Sequence, residues 1–251
     1  MLKQASILLT AKQSLPLRQL LWTEHQGGQT GYHFLQSLTI DIPVADGSAV
    51  PWHMRIGYML SMLKSVDDDT ARHCQRVANI TLALGTELGL PTGEIECLRW
   101  GSLLHDIGKI AIDPQIKNKP GKLTPEEYGY IKLHALAGAQ MARQVMGDKV
   151  AEMIKHHHDH YDGSGYNQNV VGEDIPLGAR IMAVADAFDA MVFDRPYRFA
   201  ITREEAEEEI RQCANTQFDP KVVKGFINIM RQDALAGAGE AKNTMVGMPA
   251  P

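Results

Sequence analysis

Cysteine is scarce, and the three present, Cys74, Cys97 and Cys213, are odd in number and far apart. That excludes a disulfide framework and suits reduced thiols in a helical core. No run comes near the roughly 20 apolar residues that cross a bilayer, so no membrane insertion is expected. The N-terminal stretch has a short apolar patch that turns polar without a signal-peptide cleavage site, and a cytoplasmic location is expected. Basic residues are outnumbered, 25 Lys and Arg against 30 Asp and Glu, for a net charge of -5 and a pI near 6.0. A binder of DNA or RNA duplexes usually shows a basic excess, so that class is set aside, while a local basic pocket for a small phosphorylated ligand stays open. With 44% apolar and 22% charged residues over 251 positions, the chain is neither disordered nor collagen-like and has room for one large domain, or for one domain plus a small appendage.

Three parts follow from the patterning. In residues 1–52, Leu38, Ile40, Ile42 and Val44 alternate with polar or small neighbours, predicting a strand before an Asp46-Gly47 turn. This is a small accessory segment. Residues 53–235 read as helix after helix, mainly α, with apolar positions at helical spacing through 54–66, 70–89 and 94–110. Thr124-Pro125-Glu126-Glu127 and Thr202-Arg203-Glu204-Glu205 are capping boxes. Asp219-Pro220 opens a last helix whose apolar face is Val222, Val223, Phe226, Ile227 and Met230. Residues 236–251, rich in Gly, Ala and Pro, are expected to be a flexible tail.

Histidine is the residue in excess: ten in all, seven of them between His73 and His160. In order come His73, His105-Asp106, His134, His157-His158 and Asp186. Imidazole nitrogens and carboxylate oxygens suit divalent Fe, Mn, Ni or Zn, and the lack of thiolates excludes a structural zinc knot. Neighbours such as His105 and Asp106 are about 100° apart on a helix, so they serve two ions, or one ion from a helix end. The two oxygens of Asp106 can bridge ions about 3.5–4 Å apart. Against this, a lone helical His is more often solvated than ligating, and the run from His156 to His160 also reads as a polar surface tract. Asp162-Gly163-Ser164-Gly165-Tyr166 is either an ordinary interhelix loop, whose glycines permit positive φ, or a loop whose backbone approaches a ligand beside the Tyr166 ring.

Together these elements resemble the HD-GYP branch of the HD-domain metal-dependent phosphohydrolases, over residues 66–228. The specific pieces are His105-Asp106-Ile107-Gly108-Lys109, Lys119-Pro120-Gly121-Lys122-Leu123-Thr124 with Glu127 and His134, and His157-His158-Asp159 with the glycine loop. Ile175-Pro176-Leu177, Arg180-Ile181, Asp186, Asp189-Ala190, Arg195-Pro196-Tyr197-Arg198 and Phe218-Asp219-Pro220 complete the series. The resemblance implies an HD-domain-like helical bundle that hydrolyses cyclic di-GMP to linear pGpG, GMP or both. It implies two or three divalent ions, iron or manganese first, with nickel and zinc as alternatives. The implied metal ligands are His73, His105, Asp106, His134, His157, His158 and Asp186, with Asp106 bridging. Asp106 and Lys109 are the implied catalytic pair, Lys109 facing the scissile phosphate. Gly165, Tyr166, Arg195 and Arg198 are implied to hold the nucleotide.

Three departures from the family pattern stand out. Asp159 replaces a glutamate, and Asn167 replaces a proline and its fixed φ. Asp69 stands where some three-metal members carry a glutamate, on the helix face of His73; it is a further ligand or one charge of a solvated acidic run. His156 and His160 are extra to the motif. A non-catalytic receptor that uses the 162–167 loop against a protein partner, a hydrolase for another nucleotide, and a homodimer all stay open.

Overall fold

A computed structural model gives the architecture for residues 51–167, 170–194 and 199–245, together with the strand residues Ser6–Ile7 and Thr39–Ile40. The helices are α1 (Trp52–Val66), α2 (Asp68–Glu87), α3 (Thr92–Leu104), α4 (Pro114–Lys117), α5 (Pro125–Lys155), α6 (Leu177–Val192), α7 (Arg203–Gln212) and α8 (Pro220–Met245). Short 3-10 turns cover Ile107–Ala111 and Gly172–Asp174. In the accessory segment Ser6–Ile7 pairs in parallel with Thr39–Ile40. Of the strand expected over 38–44, only these two residues are described, and the Asp46-Gly47 turn lies outside the described residues.

Both capping boxes form. Thr124 and Thr202 each accept the backbone N–H three residues on, and Glu127 and Glu205 reach back to the cap N–H. The α2 start is capped by Asp67, whose carboxylate accepts from the Thr70 N–H and hydroxyl and from Lys117 Nζ at 2.5 Å. The segment 94–110, expected as one helix, ends its α turns at Leu104 and continues as a 3-10 turn. The cause is tertiary. A Cβ on Gly108 would stand 2.0 Å from the His134 carbonyl oxygen, so the turn seats directly on the backbone of α5. Long α5 is two helices end to end, broken at Gly147 with φ 77°. The last helix runs ten residues past 235, through the stretch expected to be a tail. Alanine there has the highest helix propensity, which the absence of apolar periodicity does not reveal.

Two apolar clusters hold the helices. One gathers Met59, Leu63, Leu104, Ile107, Met141 and Ile154; the other gathers Leu84, Ile181, Val184, Phe188, Val222 and Phe226. Full burial of each such side chain contributes about 1.5–3 kcal/mol. Helix α2 belongs to both, through Cys74 and Leu84. Val222, Val223, Phe226 and Ile227 are buried on α8 as its spacing predicts.

Candidate metal centre

Seven side chains converge from four helices and their ends. His73 lies on α2, His105 and Asp106 follow the last turn of α3, and His134 sits within α5. His157 and His158 follow the C-terminal end of α5, and Asp186 lies on α6. The helix end after Leu104 lets adjacent His105 and Asp106 point to the same place, which a continuous helix forbids. Ligand atoms of His73, His105 and Asp106 lie within 4.8 Å of one another, and so do those of His134, His157 and His158. Two carboxylates span the triads. Asp106 Oδ2 is 3.5 Å from His105 Nε2 and 3.9 Å from His73 Nε2, while its Oδ1 is 3.3 Å from His134 Nε2. Asp186 Oδ1 is 2.9 Å from His73 Nε2, and its Oδ2 is 3.9 Å from His158 Nδ1.

The histidine tautomers follow from their partners. His105, His134 and His157 each aim Nδ1 at a backbone carbonyl three residues back, Ser102, Ile131 and Ile154, at 2.7, 2.6 and 2.5 Å. A carbonyl only accepts, so each Nδ1 carries the proton and each neutral ring turns a lone pair inward on Nε2. The lone pairs of His134 and His157 then face each other at 3.4 Å. His105 Nε2 and Asp106 Oδ1 are buried with no hydrogen-bond partner. Orphaned acceptors of this kind are costly unless a cation satisfies them. The donor set therefore fits divalent metal ions.

Electrostatics agree. Burial lowers His134 to about 3, assisted by Lys109 and His158 against the pull of Asp106. Burial also lowers His157 and His105, so these rings are neutral and ready to ligate. Burial acts to raise Asp106, but Lys109 and the surrounding imidazoles hold it well below the usual carboxylate range. His73 runs the other way. Burial would lower it, but its contacts with Asp186 and Asp189 raise it to about 9.

Lys109, one turn beyond Asp106, places Nζ 2.6 Å from Asp106 Oδ2 and keeps 26% of its side chain exposed. The glycine loop folds back on the histidine pair. A Cβ on Gly165 would stand 2.3 Å from the His160 nitrogen and 2.6 Å from Asp159 Cα, so the backbone approach is to the protein's own chain. The Tyr166 ring lies 4.7 Å from the His158 ring at 41°, edge-on to Tyr128, with Lys132 Nζ 4.9 Å from both tyrosine rings.

Asp69 is not brought to the cluster. Its side chain is 86% exposed and pairs with Arg72. Arg195 and Arg198 lie outside the described residues. His156 is buried against Asp159 and Glu152, and His160 bonds Ser164. The sequence pattern includes Asp189 without a role and does not single out Arg76. Asp189 Oδ2 contacts His73 Nδ1 at 2.6 Å, and Arg76 Nε meets Asp189 Oδ1 at 2.6 Å. Two signals pointed to Asp189: its place in the motif series, and its spacing of three residues from Asp186 on the same helix face. Tyr128 and Lys132 were also missed, each separated in sequence from the loop they contact.

Comparison with known proteins places this arrangement. The HD domain family matches residues 58–222. A cyclic di-GMP phosphodiesterase of Pseudomonas aeruginosa is 40% identical over 173 residues, covering 67% of this chain and 41% of the relative. A 3'3'-cGAMP-specific phosphodiesterase of Vibrio cholerae is 36% identical over 159 residues, covering 62% of this chain and 30% of the relative. The chain thus spans less than half the length of these relatives. Among solved structures, a cyclic GMP-AMP specific phosphodiesterase of V. cholerae shares the fold with a TM-score of 0.57 at 24% identity, over 81% of this chain and 55% of that one. The match over most of the helical region shows that the chain belongs to the HD domain family.

Proposed function

We propose that this chain is a metal-dependent phosphodiesterase that hydrolyses cyclic di-GMP to linear pGpG, GMP or both. The observation that carries the reading is the convergence of unprotonated imidazole nitrogens, two of them 3.4 Å apart, around the Asp106 carboxylate. His73, His105, Asp106 and Asp186 would hold one ion, and His134, His157 and His158 a second, with Asp106 shared. Iron or manganese suits this nitrogen and oxygen set. A pair of bound cations neutralises phosphoryl oxygens and lowers the pKa of water enough for hydroxide to exist near neutral pH.

The chain's own residues do the rest. Lys109, held beside Asp106, would offset negative charge that builds on the phosphoryl oxygens. Tyr166 presents a ring face for a nucleobase, with Lys132 Nζ 4.9 Å from its centre. Arg195 and Arg198 would supply planar donor forks to phosphate or guanine. The relatives named for cyclic di-GMP support this substrate class, and the 36% identity to a relative named for 3'3'-cGAMP supports the mixed dinucleotide as a second reading.

The test is incubation of metal-loaded protein with each cyclic dinucleotide, followed by product separation. Linear product from cyclic di-GMP that disappears in His105→Ala is expected. Product from 3'3'-cGAMP alone selects the second reading, and tight binding without product contradicts both.

A further inference from the structure

The loop after the paired histidines departs from the family pattern at Asp159 and at Asn167, and in the folded chain these two residues touch. Asp159 is 3% exposed. Its Oδ1 accepts the Asn167 backbone N–H at 2.9 Å and Asn167 Nδ2 at 3.0 Å, and its Oδ2 lies 3.2 Å from the same Nδ2. His156 Nδ1 completes the shell of Oδ2 at 2.6 Å. Proline at 167 has neither of the donors used here. The space around Asp159 is tight, since the Gly165 backbone packs against Asp159 Cα and the Tyr166 N–H donates to the His158 carbonyl at 3.3 Å. Tyr166 sits between these anchors, with its ring on His158.

We propose that Asp159 and Asn167 are a matched pair of positioning residues. Their hydrogen-bonded clasp replaces the stiffness of the missing proline and fixes Tyr166 against His158. Bonds from an amide and a backbone N–H to a buried carboxylate are among the stronger neutral-to-ion contacts. Changing one partner alone leaves that carboxylate short of donors or sets two carboxylates against each other. The effect on substrate rests on the phosphodiesterase reading, through Tyr166; the clasp itself does not.

The test compares Asn167→Asp, Asp159→Asn and the double exchange in the metal-loaded full chain. The double exchange restores one donor and one acceptor with reversed polarity. Hydrogen exchange at the Tyr166 and Asn167 amides needs no substrate. It is expected to accelerate about tenfold or more in Asn167→Asp and to recover most of its protection in the double variant. With cyclic di-GMP, KM is expected to rise about tenfold in Asn167→Asp, more than kcat falls, at unchanged metal content, and to return in the double variant. If Asn167→Asp fails to fold, Asn167→Ala removes only the side-chain bonds and is expected to show the same ordering at smaller size. Unchanged exchange in Asn167→Asp and Asn167→Ala, or no recovery on double exchange, overturns the clasp. Accelerated exchange with KM unmoved overturns the positioning role. Exchange that behaves as expected in a chain that turns over no cyclic dinucleotide supports the clasp and counts against the phosphodiesterase reading.

Discussion

His73 and Asp189 meet through a 2.6 Å contact between Nδ1 and Oδ2, which fixes the ring so that Nε2 faces the centre. Arg76 holds the same carboxylate with Nε at 2.6 Å and a terminal nitrogen at 2.9 Å, while its guanidinium stacks 4.0 Å over Phe193. A carboxylate behind a ligating histidine orients it and raises its basicity. Asp189→Asn removes the charge and keeps the volume. Metal affinity is expected to weaken by about 10–100-fold, measured by titrating the apo chain with Mn(II). Unchanged affinity would mean that Asp189 serves packing alone.

Two glycines give opposite expectations. Gly108→Ala drives a Cβ into the His134 carbonyl and the Gly138 nitrogen, at 2.0 and 2.6 Å. Both are backbone and cannot swing aside, so the loss is expected to reach about 3 kcal/mol or more. Gly129, within α5, has nothing within 4 Å of its would-be Cβ and no positive φ. Gly129→Ala is expected to stabilise by about 0.5–1 kcal/mol through helix propensity. Urea unfolding of the two variants beside wild type checks both signs.

Asp67 ties the start of α2 to α4. Burial acts to raise its pKa, but the bonds from Lys117 and Thr70 outweigh that and lower it. A lowered folded value means that the ionised group stabilises the fold above the unfolded carboxylate value near about 3.9, and that this contribution fades as pH falls through the folded value. Asp67→Ala is expected to cost about 1 kcal/mol at neutral pH. The gap from wild type is expected to close in acid below both values. A gap that holds constant there would assign the cost to packing.

Much of the candidate site was legible because histidine and aspartate stand at the positions of the motif series that carries the HD-GYP resemblance. His73, His105, Asp106, His134, His157, His158 and Asp186 all come together. The capping boxes at Thr124 and Thr202 were legible because each is a local pattern of four residues. What was hidden depends on tertiary contact. The break after Leu104 is set by Gly108 seating on α5, a partner 26 residues away. The Nδ1 partners of His105, His134 and His157 are main-chain carbonyls, so no side chain at Ser102, Ile131 or Ile154 announces them. Asp69 shares a helix face with His73 by spacing, yet at the first turn of α2 it lies in solvent beside Arg72.

The central claim is that His73 and His105 on one side and His134, His157 and His158 on the other share Asp106 to hold a pair of cations. Metal content after anaerobic reconstitution with Mn(II), read by elemental analysis, tests it most directly. Wild type is expected to retain about two ions per chain, while Asp106→Asn and His105→Ala, folded by circular dichroism, retain fewer. A folded wild-type chain that takes up no metal, or variants that match it ion for ion, would contradict the claim.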